Sequence, residues 1–424
     1  MKPKSFALIL LICLATVQLA QAADVETFVS PDSGYQAMFD FLDGSGASIA
    51  LATYTFSSPE IMDKLLEKRA EGVAVDVLVE KSPAGGVSDA EEAILCTLAG
   101  HGIPVHLYDG PARYMHAKYV IRDGSSVLVT SENMGTTGFS PGGDYGNRGW
   151  GAIVHDEPIA EALHAIFEED KGFSLPFECG LDNFTVPRWG SGGGYRPVFG
   201  RELYYGQEVK LIAAPESLDG LLSLIVSANS SVSVEQYYAY QHWGSVKHDT
   251  VDTAPNPLLE ALIDRARHGI SVRVLLDSTY FNMDEEKGVS NLHTIAYLNS
   301  IGEGEGIPLE AKAIDLDKSG LAKAHNKGLV IDGETALVSS INWNENSVMS
   351  NREVGLLISG ESAGYYARAF EHDWSGSGTG YGLGLVPAVA SLALLIIVVA
   401  YFGRSRGHVG GRLRSRLSLS RNHF

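Results

Sequence analysis

Two histidines and two lysines of this chain stand in matching surroundings. His116-Ala-Lys118-Tyr-Val-Ile-Arg-Asp123 and His325-Asn-Lys327-Gly-Leu-Val-Ile-Asp332 both read H-x-K-x(4)-D. Each runs on to a serine and an asparagine, Ser131 and Asn133 in the first copy, Ser340 and Asn342 in the second, and all five positions repeat at an offset of 209. On a strand, residues two apart face one way, so imidazole and ammonium share a face, and the serine and asparagine return on the next strand after an Asp-Gly turn. Ammonium, amide and hydroxyl donors can surround phosphate oxygens. An imidazole among them can attack phosphorus or deliver a proton near neutral pH, and two copies supply one histidine for each task. Lysine is not a metal ligand, and no Cys, Asp or Glu stands at ligand spacing beside the histidines, so neither metal nor cofactor is expected. Asp123 and Asp332 are grouped with the catalytic residues by the motif, although their place at the turn suits a capping role.

Such clusters need a scaffold. Strands are expected over 47–54, 73–79, 105–108 and 127–130, with helices over 58–70 and 88–99. The second half repeats this with strands over 232–237, 269–276 and 309–313 and helices over 257–267 and 291–300. Strands alternating with helices of this length indicate an α/β unit, here written twice. Glu235 and Tyr237 end a strand aimed at the motif and are read as cleft-edge residues, while Trp150 and Trp343 are read as core or cleft wall. A Gly-, Pro- and aromatic-rich passage over 180–200 links a first half, 23–179, to a second, 201–374.

The ends differ from the body. Residues 1–22 carry two lysines, an apolar run and Ala20-Gln21-Ala22, the form of a secretory signal and its cleavage site. A Gly/Ser spacer over 375–382 leads to an uncharged apolar run over 383–402, long enough to span a bilayer, then to a tail over 403–424 with six arginines and no acid. Arginines on that flank set it cytoplasmic and the body outside, so a membrane is an expected partner. Net charge is −19; setting aside those six arginines and the two lysines of the signal leaves −27 for the rest, a field that disfavours nucleic acid. Beyond the signal, the cysteines are Cys96 and Cys179, either paired or free.

The doubled motif resembles the phospholipase D superfamily, over about 29–374. The resemblance implies two α/β halves related by a pseudo-twofold axis, the active site at their interface, and a metal-independent phosphodiesterase. One histidine would form a covalent phosphohistidine while the other protonates the leaving alcohol. By the family's usual order His116 is the nucleophile and His325 the acid, with Lys118, Lys327, Asn133 and Asn342 holding phosphate oxygens. One departure stands out: Asn351-Arg352-Glu353 carries the carboxylate that orients a histidine, whereas its counterpart, Asn147-Arg148-Gly149, does not. Either Asp144 takes that role or the two histidines exchange roles. Phospholipid headgroup hydrolysis or transfer is the leading expectation, with an extracellular nuclease and a non-catalytic phosphate-binding surface protein as alternatives.

Overall fold

The repeat in the sequence is a repeat in strand order. The computed structural model describes residues 21–188, 192–215 and 217–377. The expected membrane segment and arginine tail lie outside the described residues, as does the signal except for its last two residues, which open the first strand. Among the described residues no helix is long and apolar enough to cross a membrane.

The first half contributes β1 (Gln21–Ser30), β2 (Ser48–Thr53), β3 (Ala74–Glu80), β4 (Val105–Tyr108), β5 (Tyr119–Arg122), β6 (Ser126–Thr130), β7 (Gly149–His155) and β8 (Leu175–Pro176). The second contributes β9 (Glu202–Ala214), β10 (Ser231–Gln236), β11 (Ser271–Leu276), β12 (Leu309–Ala313), β13 (Lys327–Ile331), β14 (Thr335–Ser339) and β15 (Glu353–Ser359). All lie in one sheet of order β12-β11-β10-β13-β14-β15-β9-β1-β7-β6-β5-β2-β3-β4-β8. Read outward from the antiparallel β9–β1 pair, the two wings match, β15 with β7, β13 with β5 and β10 with β2, until β8, which adds an edge strand to the first half alone. The halves are thus two repeats joined edge to edge.

Helix signals behave as their chemistry requires. Ser58 and Ser88 cap the helices Pro59–Ala70 and Asp89–Gly100 by accepting N–H bonds of 3.2 Å from Ile61 and Glu91. Pro257 opens the helix Pro257–Arg267 behind its cap Asn256. Trp150 and Trp343 are both fully buried, as core residues.

Three expectations change. Strands β1, β7, β9 and β15, which form the centre of the sheet, were not anticipated; β9 is exposed along much of its length and shows no clean alternation. His116 and Lys118 precede β5 instead of lying in it, and Lys327 opens β13. Ser375 and Gly376 belong to the last helix, Ala363–Gly376, so the chain is still helical where the spacer was expected to begin. Cys96 and Cys179 form a disulfide, which ties the helix Asp89–Gly100 to the chain just after β8.

Candidate active site

Each H-x-K segment enters the sheet beside the C-terminal end of a parallel strand, β2 or β10, and the Asp-Gly turn at its far end fixes its position. Asp123 and Asp332 adopt left-handed backbone, φ 53° and 54°. The Asp123 carboxylate accepts N–H bonds from Gly46, Ala47 and Ser48 at 3.0, 2.7 and 2.8 Å. The Asp332 carboxylate accepts from Asn229, Ser230 and Ser231 at 2.8, 2.8 and 2.7 Å. Burial opposes ionisation of Asp332, but these donors outweigh it and hold its carboxyl at about 2. Both aspartates therefore clamp the turn to the loop preceding the neighbouring strand, at the end of β5 or β13 remote from the histidines. Their grouping with the catalytic residues is corrected on that ground.

At the near end the halves cross. His116 N–H donates to the Arg352 carbonyl at 2.9 Å, and Arg352 N–H donates to the Tyr114 carbonyl at 2.9 Å. The mirror pair runs from His325 N–H to the Arg148 carbonyl and from Arg148 N–H to the Lys323 carbonyl, both 2.8 Å. Each histidine is thus pinned by the other half. The arginines doing so are themselves anchored: buried Arg148 reaches Asp373 and Asp32 at 2.6 Å each, and Arg352 reaches Asp170 at 2.9 Å.

Behind each ring stands a carboxylate, also from the other half. His116 Nδ1 lies 2.8 Å from Glu353 Oε2, and Asn351 Nδ2 donates to Glu353 Oε1 at 3.1 Å. His325 Nδ1 lies 3.2 Å from Glu132 Oε1, close but not aligned for a hydrogen bond, and Asn147 Nδ2 donates to Glu132 Oε2 at 2.8 Å. Glu132 answers the question of the missing carboxylate. Asp144 contacts neither histidine, so its expected orienting role is corrected; its loop is fixed by Tyr195 N–H on the Asp144 carbonyl at 3.0 Å. The available signal was the middle residue of Ser131-Glu132-Asn133, which is Ile341 in the second copy.

His116 and His325 line one cleft of about 420 Å³ together with Asn133, Asn342, Lys323 and the aromatic walls Tyr54, Tyr237 and Tyr238. Larger hollows of about 710 and 750 Å³ lie elsewhere and contain neither histidine, so chemistry and not size marks the site. Tyr54 and Tyr237 meet the rings of His116 and His325 edge to face at 4.7 and 4.8 Å. Both asparagines line the cleft, and their Oδ1 atoms are buried without a hydrogen-bond partner. Lys118 and Lys327 are fully buried, each with its ammonium on the preceding histidine's carbonyl and 5.4 or 5.1 Å from a tyrosine ring centroid. Ser131 and Ser340 do not line the cleft, contrary to a substrate-binding role. Ser131 Oγ accepts from Trp150 N–H and Ser340 Oγ from Val354 N–H, both at 3.1 Å, so they lock β7 and β15 in place.

Burial dominates the electrostatics. It draws the His116 imidazole down to about 4 despite Glu353, and it draws His325 well below its ordinary value, helped by Lys327, Lys323 and Lys118. Burial also lowers Lys118 to about 7. The Glu132 carboxyl is raised by burial, against the charge of Lys327. Among the described residues no three His, Cys, Asp or Glu side chains converge as metal ligands.

Comparison with known proteins places this geometry. The DISARM protein DrmC of Bacillus paralicheniformis is 28% identical over 105 residues, which are 24% of this chain and 38% of that protein. A phosphatidylserine synthase of Haemophilus influenzae shares the fold with a TM-score of 0.60, at 13% identity, over 91% of this chain and 96% of that one. Nuc of Salmonella typhimurium, a phospholipase D family member, is 22% identical over 36% of this chain and 97% of its own, with a TM-score of 0.33. The family model described as cardiolipin synthase, PLD-like domain, matches twice, over 38–171 and 221–374. Both matches span a complete motif, and the chain belongs to that family of the phospholipase D superfamily.

Proposed function

We propose that this protein is a phosphodiesterase or phosphatidyltransferase that acts on phospholipid headgroups through a covalent phosphohistidine, without a metal ion. The observation that carries the reading is that His116 and His325, from different halves, line one cleft, each with its Nδ1 facing a buried carboxylate. A carboxylate on Nδ1 leaves Nε2 free to react and stabilises the imidazolium formed. The aligned 2.8 Å contact to Glu353 supports His116 as nucleophile.

In the first step the neutral Nε2 lone pair of His116 forms a bond to phosphorus. The bond from phosphorus to the leaving alcohol breaks with its electron pair, and that oxygen takes the proton of His325. In the second step water or an acceptor alcohol loses its proton to His325 as it attacks phosphorus, and the N–P pair returns to His116. In the free protein, burial first and then the charge of neighbouring Lys327, Lys323 and Lys118 favour the neutral form of His325. An anionic phosphodiester between the rings reverses that balance and draws a proton onto it. Asn133, Asn342 and the lysines would hold the phosphate oxygens.

Transfer among lipids is favoured over cleavage of nucleic acid by a net charge of −19 and by a cleft lined by tyrosines and asparagines, with Lys323 as its one lysine or arginine among the described residues. The proposed site of action is outside the membrane, anchored by 383–402; the Cys96–Cys179 disulfide supports an oxidising compartment. The test is incubation of the purified protein with phospholipid vesicles and a primary alcohol in the presence of chelator. Headgroup release and an exchange product are expected. Cleavage of DNA with neither lipid product would replace this reading by the nuclease one.

A further inference from the structure

The two halves agree at nearly every functional position, and the exceptions come as a matched pair. In the second half the residue between Ser340 and Asn342 is Ile341, and the residue after Asn351-Arg352 is Glu353. In the first half the residue between Ser131 and Asn133 is Glu132, and the residue after Asn147-Arg148 is Gly149. Glutamate and small or apolar residue have traded places. Both carboxylates are nevertheless held by equivalent asparagines, Glu132 by Asn147 at 2.8 Å and Glu353 by Asn351 at 3.1 Å. Both face the Nδ1 of the histidine supplied by the other half. The glycine is part of the exchange: a Cβ on Gly149 would stand 2.4 Å from Glu132 Oε1 and 2.6 Å from its Cγ, distances no real side chain occupies. Residue 149 must lack a side chain because Glu132 fills the volume that its own carboxylate would otherwise take.

We infer that Glu132 is the positioning carboxylate of His325, relocated from position 149 to position 132, and that Glu132 and Gly149 form one compensated unit. The inference rests on the phosphohistidine reading for its kinetic consequence, but the contact between Glu132 and His325 does not. Burial, Lys327, Lys323, Lys118 and His116 all favour the neutral His325 ring, Tyr237 packs on it edge to face at 4.8 Å, and the carboxylate beside its Nδ1 is Glu132. Its removal leaves the imidazole surrounded by cations and another ring. The geometry also makes the two histidines unequal: the Glu353 contact is short and aligned, the Glu132 contact longer and unaligned. That inequality matches a division of labour in which one ring keeps a fixed tautomer and the other gains and loses a proton in each cycle.

The test is a three-variant swap in the full chain, read by kinetics and by ¹⁵N chemical shifts of the histidine rings. Glu132→Ile is expected to lower kcat by up to about 10⁴-fold, the loss seen when the carboxylate behind a catalytic histidine is removed. Gly149→Glu alone is expected to be at least as impaired, because two side chains then compete for one space. Glu132→Ile combined with Gly149→Glu rebuilds the second-half arrangement in the first half and is expected to recover to within about tenfold of the parent. Glu132→Gln keeps size and serves where the others fold poorly: the His325 shifts are expected to move, and the alkaline limb of the kcat/KM profile, set by loss of the proton that His325 donates, is expected to shift to lower pH. Unchanged His325 shifts in Glu132→Gln, or a double variant no better than Glu132→Ile while folded, would overturn the inference. If the parent acts on no phosphodiester, the functional reading fails, while the ring shifts still decide whether Glu132 holds His325.

Discussion

At the scale of single residues, Lys118 gives the sharpest prediction. Its ammonium is wholly buried and drawn down to about 7, so the charged form that an anion needs is present below pH 7 and lost above it. The inhibition constant of a phosphate mimic such as vanadate should therefore rise as pH is raised through about 7. Lys118→Arg, whose charge does not titrate in this range, should abolish that slope even if it weakens binding overall. A pH-independent constant in the parent would contradict the assignment. The motif made the histidines, lysines and asparagines legible because each recurs at one offset. Glu132 was hidden because it has no counterpart in the repeat, and the serines misled because a hydroxyl in a donor-rich motif looks like a ligand. Ser131 and Ser340 instead satisfy the N–H groups of Trp150 and Val354.

At the scale of elements, the turns that aim the H-x-K segments are held by the aspartates. Asp332→Ala removes the carboxylate that accepts three backbone N–H bonds and leaves a β-carbon residue at φ 54°. By analogy with lost helix caps and left-handed strain, it should cost roughly 1–3 kcal/mol, seen as a lower Tm with kcat little changed. The sign of the pH dependence follows from the depressed carboxyl. The contribution is complete above the unfolded value of about 4 and is lost as pH falls through about 2, a slope that the variant should lack. A large loss of kcat at unchanged Tm would return Asp332 to the catalytic set. Arg148→Met is expected to be harsher, about 3–5 kcal/mol, because it leaves Asp32 and Asp373 buried and unpaired. Strands such as β4 and β12 were readable to the residue, being short apolar runs between turn signals. The central strands were not: β1 begins inside what reads as a signal cleavage site, and half-exposed β9 carries no period of two.

At the scale of the whole molecule, the repeat followed from the offset of the motifs and the pseudo-twofold arrangement from the family resemblance, but the joining of both halves into one sheet followed from neither. That joining, with the backbone crossings at His116 and His325, makes the halves mutually dependent, since each donates the carboxylate that the other's histidine faces. A protease site inserted in the link, within 180–188, should give a nicked protein whose halves co-elute and remain active. Separation on nicking would contradict it.

Trapping the intermediate tests the central claim most directly. The protein is mixed with a slowly turned-over phosphodiester, quenched in denaturing alkali, which preserves phosphohistidine, and mapped by mass spectrometry. The phosphoryl adduct is predicted on His116, and it should be absent from His116→Asn. An adduct on His325, or steady turnover with neither histidine ever modified, would contradict the account.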